Sequence, residues 1–515
     1  MSSTWLKTAV FYEIYPNSFL DTDGDGYGNL KGITSKLDYI KSLGCNAIWL
    51  NPHYDSPFMD GGYDVRDFFK TSPRFGTEED FDEFVKTAHA KGIKVILDLV
   101  PGHTSEENAD FLRSAENTPN ELYDRFIWTR HEWHFPDGYR AVAGRHNRKA
   151  NYLVNFFSTQ PALNYGFNAV DDPTWQASYK SEAAIATREW LKTVMRFWLD
   201  RGADGFRVDM ADSLVKNDGS QSEKPATSEL WRNVREMLDT EYPDTVLVSE
   251  WSNPQAIRAG FHADFMLDHH GNPYNLLVRA EEEEGKHSYF DINGGGDAEA
   301  FAKGFTEWYE QIRNDGYLAI ISCNHDTPRL APFYTQEQLK VIYATLYTLP
   351  GVPFVYYGDE IGMKYIKDLP SVECGFSRTG SRTPMQWSVD KNAGFSSADK
   401  TFLPTFADKQ TNVAAQLKDK KSLLNALREL LEFRRSRSEF TERDFEIVHA
   451  KGSEPLVYKR GKLLCVVNPL SVKQTVPVVL PPKTKAIYSV GKDAKPSKTG
   501  ITAQPLSFTV FEIND

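Results

Sequence analysis

Several short apolar runs in this chain of 515 residues end on ionisable side chains. Asp98 of "KVILDLV" is followed by His103, and Arg207 and Asp209 share "GFRVDMA". Glu250 closes "VLVSE", Asp268 and His269 close "ADFMLDH", and His325 and Asp326 follow "LAIISC". Side chains alternate along a strand, so Arg207 and Asp209 point the same way. Taken alone, that pair serves as readily for a buried structural ion pair as for catalysis. A second carboxyl changes the weight. Two carboxyls across an anomeric carbon are what glycoside hydrolysis needs, one to attack or activate water and one to protonate the leaving oxygen. Asp209 beside a permanently charged guanidinium is expected to stay ionised and suits the nucleophile. Glu250, preceded by "VLVS" and followed by Trp251, has apolar sequence neighbours that would raise its pKa and suit it to proton donation. Asp204 and Asp212 are read as structural, as are Asp268 and His269, and Trp49, Trp128 and Trp198 are read as core.

The elements that position these groups follow from periodicity. Eight β-rich runs begin near residues 9, 47, 94, 205, 246, 263, 318 and 352. The gaps between them carry helical spacing: Ile33, Leu37 and Ile40 fall on one face, and "SEAAIATREWLKTVMRFWLDRG" reads as a long amphipathic helix ending at Gly202. Eight continuous apolar strands alternating with helices predict a parallel (β/α)8 TIM barrel, whose active sites lie at the C-terminal strand ends. The barrel is expected over 1–100 and 169–439. Residues 101–168, rich in His, Arg, Asn and aromatics without a clear period, read as an inserted subdomain over the barrel mouth. Residues 440–515 switch to period-two patterns such as "KLLCVVNP" and read as a C-terminal antiparallel β domain, a small sandwich. The acidic run at 281–284 reads as a solvated loop.

The net charge of −12, with both signs mixed along the chain, offers no basic face for a phosphate backbone, so nucleic acid is not an expected partner. No segment is long and apolar enough to span a bilayer, and "MSSTWLKTAVFYEIYP" lacks a signal-peptide pattern. Four scattered cysteines without metal-ligand spacing fit a reduced, cytoplasmic setting. A monomer acting on small oligosaccharides is the expectation.

The motifs "DLVPGH" (98–103), "GFRVDMADSLV" (205–215), "VLVSEW" (246–251) and "CNHDTPR" (323–329) resemble, in order and spacing, the four barrel motifs of the α-amylase superfamily of retaining glycoside hydrolases. The resemblance spans essentially the whole chain. It implies Asp209 as nucleophile, Glu250 as general acid/base and Asp326 as the carboxylate that stabilises the transition state. It also implies Tyr63, His103, Arg207 and His325 around subsite −1, with Asp98 as a supporting acid. "FYEIYPNSFLDTDGDGYGNLKGI" and "SRTPMQWSVDKNAGFS" are similar to stretches of bacterial α-glucosidases and oligo-1,6-glucosidases. That similarity implies Asp64 and Arg382 paired at the end of subsite −1, gripping a terminal glucose.

Two departures matter for specificity. "QPALN" (160–164) differs from the "QPDLN" usual for oligo-1,6-glucosidases, and Met210 is neither the valine that accompanies α-1,6 preference nor the threonine or alanine seen with α-1,4. The expected activity is hydrolysis of short maltooligosaccharides from the non-reducing end, with α-1,4 bonds favoured and α-1,6 bonds possible. An endo-acting α-amylase and a trehalose synthase or transglucosylase are the alternatives. Gly102 stands where α-amylases carry a calcium-binding asparagine, so that site is expected to be absent. Instead the loop "DTDGDGYGN" sets Asp21, Asp23, Asp25, the Tyr27 carbonyl and Asn29 at alternating positions, and related glucosidases hold calcium there.

Overall fold

A computed structural model describes residues 5–220, 222–280, 285–406, 408–482 and 484–513. The acidic run at 281–284 lies outside the described residues. Eight parallel strands close a barrel: β1 (Phe11–Ile14), β2 (Ala47–Leu50), β3 (Lys94–Leu99), β4 (Gly205–Val208), β5 (Val246–Ser249), β6 (Ala263–Phe265), β7 (Tyr317–Ile321) and β8 (Val352–Tyr356), with β8 pairing back onto β1. These are the eight runs read from the sequence. The strands are buried along nearly their whole length, as strands must be when helices cover one side and the barrel interior the other. Inside, Phe11 stacks on Phe354 at 4.2 Å, and Trp49 and Phe265 pack against the same cluster. This apolar plug is the floor on which the polar mouth stands.

The helices show why their sequences fold locally. In Glu78–Ala90, Thr77 and Asp80 form a reciprocal capping box, and Phe81, Phe84, Val85 and Ala88 recur at helical spacing on the buried side. The long helix expected before Gly202 runs Glu182–Asp200, capped by Ser181, and Gly202 follows with φ +98°, a left-handed conformation that favours glycine. The stretch holding Ile33, Leu37 and Ile40 is two short helices, Leu30–Ser35 and Leu37–Ser42, yet all three side chains are fully buried.

Two excursions leave the strand tops. A hairpin after β2, Tyr54–Asp55 with Asp67–Thr71, carries the loop that holds Asp60, Tyr63 and Asp64. After β3, the segment through residue 168 forms a two-stranded ribbon, Ala141–Val142 with Tyr152–Leu153, and packs Phe111, Phe126, Trp128 and Tyr152 around one another. The C-terminal part holds a five-stranded antiparallel sheet, with Leu463–Asn468 and Ser507–Glu512 paired at its centre, and a three-stranded sheet over it. All four cysteines are free thiols, and among the described residues no helix is long and apolar enough to cross a membrane.

Candidate active site

Asp98 and Arg207 sit opposite each other in the β3–β4 register. The buried Arg207 guanidinium donates to Asp98 at 2.9 Å and Asp209 at 3.0 Å through Nη1, and meets Glu250 at 2.7 Å through Nη2. Asp98 is itself anchored, since its other oxygen accepts from Trp49 Nε1 at 3.0 Å and Tyr63 hydroxyl at 2.8 Å. Three carboxyls from three strand ends thus converge on one cation. Burial, and after it the neighbouring Glu250 carboxylate, push Asp209 well above the usual carboxylate range, with Arg207 pulling the other way. This corrects the expectation of a simply ionised Asp209: its arginine is shared with two other acids, so the anion gains less than an exclusive pair would give. Nor does Glu250 sit among apolar groups. Its Oε1 meets Arg207, and its Oε2 accepts from the Met210 backbone N–H at 2.9 Å. Met210 has φ +41°, a strained setting for a residue with a side chain, and this is the turn that aims its N–H at Glu250.

Across the mouth, Asp326 meets His325 Nε2 at 3.1 Å, Arg382 Nη2 at 2.9 Å and Arg378 Nη1 at 3.2 Å. Burial opposes its charge, but His325 and the two arginines outweigh burial and hold Asp326 well below the ordinary range. His325 is clamped between Asp326 and the buried Glu13, whose Oε1 lies 2.9 Å from Nδ1. Burial disfavours an imidazolium, yet Asp326 and Glu13 prevail and raise His325 to about 9. Tyr63 lies flat on His325 with ring centroids 5.2 Å apart, and its hydroxyl is 2.7 Å from Nε2.

The Asp64–Arg382 pair implied by the resemblance does not form. Asp64 is fully buried and turned into its own loop, accepting from Ser56 Oγ and from the Met59 and Asp60 N–H groups. Arg382 bonds Asp326 and the His325 carbonyl. The ion pair at that end of the cavity is Asp60 with Arg378, at 2.8 Å. Gln160, from the "QPALN" stretch, braces Asp60 at 2.8 Å. The signal for Asp60 was present in "MDGGYD", three residues before Tyr63, but which of two acids in a glycine-rich loop faces the cleft depends on the turn and not on period. The resulting cavity, about 260 Å³, is lined by Asp60, Asp209, Met210, Glu250, Asp326 and Arg378, with Phe156 also among its lining residues.

His103 also lines this cavity, and both of its ring nitrogens already have partners: Nε2 with the Tyr63 carbonyl at 3.1 Å and Nδ1 with Asn155 Nδ2 at 3.3 Å. Burial lowers it to about 4. Next to it, Gly102 packs so tightly that a Cβ there would lie 2.5 Å from Asn155 Nδ2. The space beneath the inserted segment holds the Lys216 ammonium, bonded to Asn155 Oδ1 at 2.9 Å and the Ser213 carbonyl at 2.6 Å. Glu13, Asn155, Lys216 and Arg378 are site residues that sequence reasoning missed, because each lies off the strand ends that the motifs mark.

The loop of Asp21 to Asn29 offers only oxygen donors, the right class for calcium. As folded, Asp21 accepts from the N–H groups of Asp23, Gly24 and Gly26 and from Ser396 Oγ, while Asn29 caps the helix Leu30–Ser35 through the Gly32 N–H. Asp25 accepts from the Tyr27 N–H. Among the described residues no group of three or more His, Cys, Asp or Glu side chains is arranged to hold a metal. The donor chemistry of the loop fits calcium. Asp204 lies at the opposite end of the barrel, bonded to His89, Lys94 and the Val95 N–H, and Asp268 accepts from Asn275.

The α-amylase catalytic-domain family matches residues 13–443. The chain belongs to the α-amylase family. It is 34% identical over 506 residues to the trehalose synthase/amylase TreS of Mycolicibacterium smegmatis, covering 89% of this chain and 81% of that protein. It is 30% identical to an alpha-glucosidase of Pediococcus pentosaceus, covering 96% and 97%, and 31% identical to a glucan 1,6-alpha-glucosidase of Streptococcus pneumoniae, covering 87% and 88%. Among solved structures, an isomaltulose synthase of Erwinia rhapontici superposes with a TM-score of 0.81 at 25% identity over 99% of both chains. This α-amylase-family enzyme is a glycoside hydrolase, and its barrel mouth is where the family's catalytic chemistry is to be sought.

Proposed function

We propose that this enzyme is an exo-acting, retaining α-glucosidase that releases glucose from the non-reducing end of short maltooligosaccharides, favouring α-1,4 and accepting α-1,6 bonds. The observation that carries the reading is that Asp209 and Glu250 are bound to the two Nη atoms of one guanidinium. This brings the two carboxyls to one cation from neighbouring strand ends, within reach of the short separation of about 5 Å used in double displacement. Asp209 attacks the anomeric carbon, and Glu250 protonates the leaving oxygen and then deprotonates the water. Burial and the neighbouring Glu250 carboxylate raise Asp209 against the pull of Arg207. Asp326, held ionised by His325, Arg382 and Arg378, faces the developing positive charge. The Asp60–Arg378 pair stops the cavity one end short, which supports gripping a terminal sugar.

A transfer or isomerase reading is favoured by the similarity to a protein named trehalose synthase/amylase and to an isomaltulose synthase structure. Incubation with maltose decides, since glucose alone supports hydrolysis, and trehalose or isomaltosides support transfer. NMR of the first-formed anomer tests the mechanism; a β-glucose product would overturn retention. The free thiols support a cytoplasmic setting, and calcium in the Asp21 to Asn29 loop is proposed on donor chemistry alone.

A further inference from the structure

The amide of Asn155 reaches the site from the inserted segment without lining the cavity itself. Its orientation is fixed by chemistry. The Lys216 ammonium has donors and no acceptor, so the amide oxygen must face it, and at 2.9 Å it does. Burial and the nearby Lys224 lower Lys216 to about 8, with Asp212 opposing, so the ammonium form that sets this orientation prevails at neutral pH. The amide NH₂ is thereby turned to three acceptors: His103 Nδ1 at 3.3 Å, Ser213 Oγ at 3.3 Å and Met210 Sδ at 3.9 Å. Ser213 Oγ accepts from Asn155 and donates its own hydrogen bond to the Met210 carbonyl at 2.8 Å. Met210 is the strained residue whose N–H holds Glu250. The other His103 nitrogen faces the Tyr63 carbonyl, which only accepts, so the ring proton sits on Nε2.

We propose that Asn155 is a positioning residue: it fixes neutral His103 as the Nε2–H tautomer and backs the Met210 turn that aims Glu250, coupling the inserted segment to the catalytic carboxyls. The inference rests on the glycosidase reading for its catalytic consequence and on the hydrogen-bond directions alone for the tautomer. Lys216, Lys224 and Asp212 lie on the side of Asn155, and the Tyr63 carbonyl lies on the far side of the ring.

The test is nitrogen-15 NMR of histidine-labelled full-length enzyme, with kinetics on an aryl α-glucoside. Wild type is expected to show His103 neutral and Nε2-protonated from pH 8 down to about 5, in line with its depressed titration. Asn155→Asp sets a carboxylate against Nδ1 and is expected to draw a proton there and raise the His103 titration by about one pH unit or more. In Asn155→Asp and Asn155→Ala, kcat should fall on the order of 10-fold or more with KM moving less, as for outer partners that orient a site histidine. A purely structural role would leave the tautomer untouched. An Nδ1–H tautomer in wild type overturns the proposal whether or not the variants fold, as do folded variants with wild-type kcat and tautomer. Absence of glycosidase activity in wild type, with the Nε2–H tautomer present, would count against the glycosidase reading alone.

Discussion

Arg207 at the barrel mouth and Arg460 in the C-terminal sheet are both buried arginines, and they are met in opposite ways. Arg207 is surrounded by carboxyls, from Asp98, Asp209 and Glu250, more negative groups than one cation can neutralise. Arg460 has only neutral dipoles: the carbonyls of Thr348, Phe440, Glu442 and Asp444, which tie the C-terminal sheet to the segments flanking the barrel. Arg434 beside it bonds the carbonyls of Tyr347, Gly351 and Phe440 in the same manner. Burial lowers both of these arginines: Arg434 falls to about 9, with Arg460 repelling it, and Arg460 falls with Asp444 among the groups opposing the shift, while the acids around Arg207 raise it despite burial. The difference separates a charge kept for chemistry from a charge kept as a clasp. A cluster with surplus titratable groups can redistribute a proton, whereas a cation that has satisfied carbonyls can only hold them.

That contrast predicts different losses. Asp209→Asn should reduce turnover of an aryl α-glucoside on the order of 10³-fold or more while the chain stays folded; near-normal hydrolysis would remove Asp209 from the nucleophile's role. Arg460→Ala should do the reverse, costing about 3–5 kcal/mol of stability by stranding buried carbonyls, with kcat per folded molecule unchanged. Urea melts and active-site titration read both quantities, and a melt unchanged by Arg460→Ala would break the comparison. Arg378→Ala, which removes a charged partner from Asp60 and Asp326, should weaken maltose binding by about 10- to 100-fold and relax selectivity for chain ends; unchanged kinetics on maltose and maltotriose would reject the Asp60–Arg378 end-stop.

The pH dependence sharpens it further. His325 is raised to about 9 in the folded chain from an ordinary 6.5, so the stability it contributes is fully present below about 6.5 and is lost as pH rises through 9. His53 and His262, both lowered to about 3 by burial, act oppositely: the unfolded chain takes up protons first, so stability falls as pH drops below about 6.5. Thermal melts from pH 4 to 10 should peak between these limits, and Glu13→Gln should move the alkaline decline to lower pH. The smallest effect is expected from calcium. With Asp21 already accepting from backbone N–H groups, bound calcium adds little beyond those bonds, so exchanging EDTA for calcium should raise the melt only slightly, and no rise at all would count against calcium in the loop.

Strand positions were legible because continuous apolar runs between helical spacings leave few alternatives, and the family motifs mark strand ends, where Asp209, Glu250, His325 and Asp326 indeed meet. The cavity's far end was not legible. Asp60 and Asp64 lie four residues apart in a loop with two glycines, and only the folded turn shows that Asp64 serves its own backbone while Asp60 faces Arg378. Charge states were not legible either. Sequence adjacency made Arg207 the partner of Asp209, but register and strand curvature brought Asp98 and Glu250 to the same cation.

Gly102 carries a consequence for how this chain can change over generations. A side chain there would lie 2.5 Å from the Asn155 amide nitrogen, so a larger residue at 102 needs position 155 to give way. A lineage exchanging this lysine-pinned joint for an asparagine at 102 must pass through, or leap over, an intermediate in which the inserted segment has lost its hold on the catalytic turn. The two positions should therefore be inherited as a pair, and the double replacement should prove milder than the sum of its parts.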